Sequence, residues 1–253
     1  MPAASVFRGR EMHYAQQEFS VRLQWGLDAA RLLSGQADHC VVVDVLSFST
    51  SVDIACARGA EVWPYHARDD DAQAFAEARR ALLAARRNRV QPSLSPASLQ
   101  QLADGSRLVL PSPNGARTSL ASCAAGTIAG CLRNAAAVAS HLACEGGSVL
   151  VVAAGEVDKD GRLRFAYEDF IGAGAIIYGL SGSKTPEALA AEAAFVLARH
   201  DLENQLGLGA SAAELRERGF EEDVALAAQL NVSDCVPLLR DGAYRALEAL
   251  AEA

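Results

Sequence analysis

A carboxylate that ends an apolar run and is followed by hydroxyls is the first place in this sequence where chemistry could sit. Asp44 follows Cys40-Val41-Val42-Val43, and Ser47, Ser49 and Thr50 come directly after it. A carboxylate suits a metal, and hydroxyls with the free N–H groups of a helix start suit a phosphate. Ser and Thr are also ordinary helix caps. A cap accounts for one hydroxyl and leaves the carboxylate beside the valine run unexplained. Further along, Ser112-Pro113-Asn114-Gly115-Ala116-Arg117 follows a second apolar segment. Asn-Gly is a turn signal. Arg117 stands near a helix start, where the helix dipole disfavours a cation, and a guanidinium there can grip an anion with two N–H groups. Arg133-Asn134 repeats the pattern after a third segment, although Asn134 alone reads most simply as a cap. Asn114, Gly115, Arg117, Arg133 and Asn134 thus form a candidate anion pocket.

The remaining candidates are acidic. Glu156 follows the apolar run 148–153, and Glu168-Asp169 open an apolar helical stretch. Acids at a helix start are favourable in their own right. With Asp44 they could collect three or four carboxylates at one sheet edge, and Mg²⁺ is the natural ion for an oxygen-only set. Asp158, Asp160 and Gly161 resemble a calcium loop only faintly, since no Glu follows at the required position.

Several chemistries are excluded by spacing. There is no G-x-x-x-x-G-K-[ST] loop and no G-x-G-x-x-G, which weakens a dinucleotide oxidoreductase. Asp44 belongs to no D-x-D pair. No cysteine has an arginine six positions on, as a cysteine phosphatase would need; Cys235 to Arg240 is one short. The six cysteines form no C-x-x-C pair and mostly sit among apolar or Ala-rich residues, so they read as reduced buried thiols.

These side chains need a scaffold, and the sequence describes one. Segments 19–25, 40–46, 61–65, 107–110, 127–131 and 148–153 read as strands. Helices are expected at 27–33, 47–57, 69–87, 117–125, 134–144 and 167–180. The stretch 69–87 starts acidic and ends basic, as the dipole favours, and its arginines (Arg79, Arg80, Arg86, Arg87, with Arg89 beyond) read as a solvated helix face. Residues 88–104, with Pro92 and Pro96, read as a connecting loop with a helical piece near Leu99. From Lys184 onward only helices are expected, near 186–204, 211–218, 221–230 and 240–252. Strands alternating with helices predict an α/β fold, a mainly parallel sheet with helices on both faces. No repeat or linker interrupts it, so residues 1–253 read as one domain with an arm at 1–17 and a helical C-terminal section at 184–253. In such sheets a ligand lies beyond the carboxyl ends of the strands, where all the candidates above fall.

The chain is 51% hydrophobic and 21% charged, which excludes a disordered or low-complexity chain. Its net charge of -8 gives no overall basic face, so nucleic acid is not an expected partner. No apolar run reaches membrane-spanning length, and residues 1–17 lack the apolar centre of a secretory signal. The expectation is a cytoplasmic protein acting on a small anionic molecule, and the Ala-rich helical surface would suit a homodimer.

These segments, taken together and in order, resemble the 2-phosphosulfolactate phosphatase family. The resemblance rests on Asp44-Val45-Leu46 with Ser49-Thr50, Asn114-Gly115-Ala116-Arg117, Asn134-Ala135, Glu168-Asp169 with Gly172-Ala173-Gly174, and Gly219-Phe220-Glu221-Glu222-Asp223-Val224 with Val236-Pro237. It implies an α/β fold peculiar to the family and a Mg²⁺-dependent phosphatase that converts 2-phosphosulfolactate and water to sulfolactate and phosphate, in coenzyme M synthesis. Carried onto this chain, Asp44 would be a metal ligand or catalytic acid. Ser49, Thr50, Asn114 and Arg117 would hold the phosphate, and Glu168 and Asp169 would help build the metal site.

The chain departs from that family at two places. Ser47 stands where the family usually has arginine, and the Gly-Glu-Arg-rich loop is shortened to residues 84–98, with Ser95-Pro96 kept and Ser98 where glutamate is expected. Losing a bidentate arginine from a closed site costs about 2 kcal/mol of anion binding. The alternatives are therefore a phosphatase for a different ester, or a family member that binds an anionic metabolite without turning it over.

Overall fold

The apolar runs that stand out in the sequence are buried on two faces at once. In Cys40-Val41-Val42-Val43, Val41 and Val43 pack into one cluster with Val21, Leu23, Val149, Val151 and Ile176. Cys40 and Val42 point to the opposite face and pack with Ala30, Leu33, Leu150 and Val152. A strand covered on both sides has no polar face to show, which is why these segments lack alternation.

The computed structural model describes residues 13–67, 69–89 and 91–247. The strands are β1 (Val21–Trp25), β2 (His39–Val43), β3 (Glu61–Tyr65), β4 (Leu82–Leu83), β5 (Arg107–Pro111), β6 (Gly126–Gly130), β7 (Val149–Ala153), β8 (Glu156–Val157), β9 (Leu163–Arg164), β10 (Pro237–Arg240) and β11 (Ala243–Ala246). The α-helices are α1 (Gly26–Leu33), α2 (Phe48–Ala57), α3 (Asp70–Ala78), α4 (Gly115–Ala121), α5 (Ala135–Glu145), α6 (Tyr167–Tyr178), α7 (Pro186–Ala198), α8 (Leu202–Gly207), α9 (Ala210–Glu217) and α10 (Glu221–Ala227). A nine-stranded sheet has the order β1-β7-β2-β6-β10-β11-β3-β5-β4. β1, β7, β2 and β6 are parallel, as are β3, β5 and β4. Between the two sets, β10 and β11 are inserted by three antiparallel pairings. The fold is thus α/β with a mostly parallel mixed sheet, as expected.

The antiparallel insert reverses the second parallel set relative to the first. The carboxyl ends of β2 and β5 nevertheless meet, because Gly115 N–H, just after β5, donates to Asp44, just after β2.

Three expectations from the sequence fail, the first being the helix near 186–204, which is broken between Ala198 and Leu202. The helix predicted over 69–87 ends at Ala78. Arg80 then takes a positive φ of 52° and the chain turns into β4, which pairs with β5. Ala and Arg are good helix formers, but the pairing with β5 overrides their preference. The helix predicted over 240–252 is instead the β10–β11 hairpin, whose turn residues Asp241 and Gly242 have φ of 52° and 78°. Residues 248–252 of that prediction, and most of the 1–17 arm, lie outside the described residues. Glycines inside α6 serve close packing: a Cβ on Gly172 would lie 2.6 Å from Val45 Cγ2, and one on Gly174 would run into the Ala191 carbonyl of α7. Cys40, Cys56, Cys131 and Cys235 are buried free thiols; Cys123 and Cys144 are exposed. Among the described residues no helix is long and apolar enough to cross a membrane.

Candidate functional site

β2 stops at Val43 because the next residues leave the ladder to make side-chain bonds. Asp44 is 6% exposed and its two carboxylate oxygens accept different N–H groups: Oδ1 from Phe48 at 3.3 Å and Oδ2 from Gly115 at 2.7 Å. It therefore joins the start of α2 to the start of α4. Gly115 must be glycine, since a Cβ there would sit 2.5 Å from Asp44 Oδ2. Burial pushes the Asp44 carboxyl up to about 6; Glu156 and Glu168 add repulsion, and the two N–H groups only partly offset it.

The other acids surround this point but do different work. Asp169 at the start of α6 spends Oδ1 on Val45 N–H at 2.8 Å and Oδ2 on Gly155 N–H at 2.9 Å. It locks the turn after β2 to the turn after β7, and burial together with Asp44 and Glu168 drives its carboxyl well above the usual range. Glu168 is 4% exposed and accepts no hydrogen bond from any described residue; the turn between α8 and α9 lies over it, with Gly209 placed so that a Cβ would be 3.6 Å from Oε2. Glu156 Oε1, on β8, accepts from Asn114 Nδ2 at 3.0 Å, while Asn114 Oδ1 is buried and without a partner. Asp44, Glu156, Glu168, Asn114 and Gly115 are thus brought together from the ends of β2 and β5, from β8 and from the start of α6. Among the described residues no three acidic, His or Cys side chains converge as a ready-made metal cage.

A cavity of about 230 Å³ opens beside Asn114, lined by Trp25, Asp28, Arg117, Ala154 and Leu163 among others. The β8–β9 hairpin forms one wall. Its tip is held by Asp158 Oδ1, which accepts from the Asp160 and Arg162 N–H groups, so this acidic loop is a tight turn.

The hydroxyls after Asp44 stiffen the turn. Ser49 Oγ donates to Val42 O at 3.0 Å and accepts from Asp44 N–H at 2.8 Å, and Thr50 Oγ1 donates to Val45 O at 2.8 Å. Ser47 differs, because its Oγ accepts from Arg87 Nη2 at 3.0 Å. Arg87, expected on a solvated helix face, is buried instead, and its Nη1 is paired with Asp223 of α10. A guanidinium therefore reaches the turn after Asp44 although residue 47 itself is serine. Arginine-rich, alanine-rich sequence hid this, and only the Asp223 partner 136 residues away reveals it.

Arg133 and Asn134 lie apart from this group. Arg133 Nε donates to Asp53 at 3.0 Å and its Nη1 to Leu226 O and Gln229. Asn134 is fully buried, accepting from Cys131 N–H and donating to Ala129 O and Cys235 O. Both tie β6 to the C-terminal section, so the anion pocket expected from them does not include them.

Sequence comparison adds the relatives. A profile of the 2-phosphosulpholactate phosphatase family matches residues 30–242. A protein of Methanothermobacter thermautotrophicus named 2-phosphosulfolactate phosphatase is 33% identical over 216 residues, covering 83% of this chain and 91% of that protein. Proteins named probable 2-phosphosulfolactate phosphatase from Carboxydothermus hydrogenoformans and Pseudothermotoga lettingae are 33% and 30% identical, covering 82% and 80% of this chain and 88% and 90% of theirs. A match over most of the chain, with Asp44, Asn114, Gly115 and Glu168 gathered at the strand ends, leads to one conclusion: this chain belongs to the 2-phosphosulpholactate phosphatase family.

Proposed function

We propose that the protein is a Mg²⁺-dependent phosphatase for a small acidic phosphate monoester, 2-phosphosulfolactate first among them. The observation that carries this reading is the set of acids around Asp44, which repel one another where a cation would relieve them. The donor set fits Mg²⁺, which commonly takes one or two carboxylates and fills its other positions with water and substrate phosphate. Asp44 and Glu156 would hold it through lone pairs left beside their hydrogen bonds, while Asp169 bridges the turns after β2 and β7. Bound there, Mg²⁺ would neutralise charge developing on the phosphoryl oxygens.

The chain's own residues supply the rest. Glu168, buried and free of other hydrogen bonds, orients the attacking water and takes its proton at a carboxylate oxygen. Water attacks phosphorus, the ester P–O bond breaks, and the departing alkoxide takes a proton from solvent. Asn114 presents an unpartnered amide oxygen beside Glu156, and Arg117 at the cavity wall attracts the anionic ester. The cavity lined by Trp25, Asn114, Arg117 and Leu163 gives the ester room to enter.

The test is phosphate release from a panel of monoesters, 2-phosphosulfolactate included, in Mg²⁺ and in EDTA. Release that needs Mg²⁺ supports the reading. Release only from other esters narrows it to a changed substrate, and no release from any ester refutes turnover.

A further inference from the structure

We propose that Arg87, set in place by Asp223, receives the phosphoryl oxygens of the anion that enters this site; the identity of that anion rests on the reading above. Arg87 follows β4 and its side chain is 9% exposed; its partner Asp223, on α10, is 1% exposed. A guanidinium has five N–H donors. Here one donates to Asp223 and one to Ser47 Oγ, at the turn that follows Asp44. Asp223 is itself held: its Oδ1 accepts from Ser95 Oγ at 2.5 Å and Ala97 N–H at 3.3 Å. Ser95, Ala97 and α10 therefore close on one fixed guanidinium.

A buried Arg–Asp pair can be only a staple between segments, and the same molecule supplies the comparison. Arg133–Asp53 is such a staple: its Nη1 donates to Leu226 O and Gln229 of the C-terminal section. Arg87 instead directs a donor to Ser47 Oγ, in the turn that follows Asp44. Two more guanidiniums, Arg89 and Arg218, lie 6.0 Å and 5.9 Å from the Phe220 ring that Arg87 also faces at 5.6 Å. Against them stand Glu221, Glu222 and Asp223 in the first turn of α10, so charge on this wall is balanced and the direction of the Arg87 donors is what distinguishes it. Burial and Arg218 push the Arg87 guanidinium downward while Asp223 and Asp44 act in the other direction. Such a forked cation suits the oxygens of a tetrahedral phosphate.

The experiment is calorimetric titration of inorganic phosphate, with Mg²⁺ present, into the full chain and three variants, alongside KM and kcat on the ester turned over fastest. Arg87→Lys keeps the charge without the fork. Arg87→Met combined with Asp223→Asn removes both charges and leaves an acceptor for Ser95 and Ala97, so it avoids stranding a buried charge. Asp223→Asn alone keeps Arg87 but loosens its anchor. Phosphate affinity is expected to fall tenfold or more in the double variant, less in Arg87→Lys, and least in Asp223→Asn, with KM rising in the same order. Wild-type phosphate affinity and KM in a folded double variant overturn the proposal, as does a wild-type chain that binds no phosphate. If the wild type binds phosphate through Arg87 yet hydrolyses no ester, the phosphatase reading fails and this inference stands. If it hydrolyses esters and Arg87 makes no difference to either quantity, the reverse holds.

Discussion

Gly115→Ala tests the geometry on which the site depends. At an exposed helix start the change would be mildly favourable, since alanine is worth about 1 kcal/mol over glycine inside a helix. Here the added Cβ would lie 2.5 Å from Asp44 Oδ2, 2.5 Å from Phe48 Cδ1 and 2.7 Å from Phe48 Cβ. None of these can retreat easily. Phe48 is fully buried and stands edge-on to Tyr244 at 6.2 Å, and Tyr244 donates to Ser119 at 2.8 Å. Asp44 is held by two N–H groups, one of them Gly115's own. Overpacking of this kind costs about 1–3 kcal/mol. Stretching a hydrogen bond to a carboxylate adds about 1–2 kcal/mol. Net destabilisation of about 1–4 kcal/mol follows after the alanine gain, a fall in Tm of roughly 2–16 °C for a chain of this size. Displacing Asp44 by about 1 Å should also lower phosphate release by about a hundredfold. Thermal unfolding by circular dichroism and a phosphate-release assay measure the two effects. An equal or higher Tm with undiminished turnover would show that the close contact between the β2 and β5 ends is not as described.

Asp44→Asn should abolish Mg²⁺-dependent release and lower Tm without unfolding the chain, because the amide relieves the repulsion that lifts the Asp44 carboxyl to about 6 but turns an NH2 toward the N–H of Phe48 or Gly115; melting curves and release with and without EDTA decide it. Asp169→Ala strands the N–H groups of Val45 and Gly155 and should cost about 2–5 kcal/mol by urea unfolding, so stability and activity fall together. Arg133→Met leaves Asp53 buried without its cation and should cost about 3–5 kcal/mol at neutral pH. Burial already holds the Asp53 carboxyl above its ordinary value, so its protonation is favoured in the folded chain. The deficit of Arg133→Met should therefore shrink as pH falls below that raised value and be full above it, as urea midpoints across pH will show. Gly174→Ala drives a methyl into the Ala191 carbonyl at the α6–α7 crossing and should lower Tm with little change in KM.

The parts of the fold legible in the sequence were those whose signal is local. Cys40–Val43 and Val149–Ala153 announce themselves because both their faces are covered. Asp69 was visible as a helix start and does accept from Ala72 N–H. The end of that helix was not legible, because residues 79–87 favour helix intrinsically and only pairing with β5 reveals the strand. The β10–β11 hairpin had a local signal, Asp241-Gly242, a strong two-residue turn. It was outweighed by the Ala- and Leu-rich residues that follow. Its consequence is large, since these two strands join the parallel sets and set the angle at which their ends meet.

The site divides along the same line. Asp44, Asn114, Gly115 and Glu156 follow strands, so knowing the strands located them. What their residue types could not show was how each side chain is spent. Ser49 and Thr50 look like phosphate ligands and are consumed by the backbone of their own turn. Arg133 looks like an anion clamp and has Asp53 beneath it, 80 residues earlier in the chain. Arg87 looks like solvated surface and is carried inward by Asp223. A charged side chain's role is set by where its counter-charge lies, and here both counter-charges are remote in sequence. The acids of the site sit on the parallel ends, while the guanidinium opposing them is held in place by α10. Shortening α10 should therefore weaken anion binding before it disturbs Asp44, whose own contacts lie in α2 and α4.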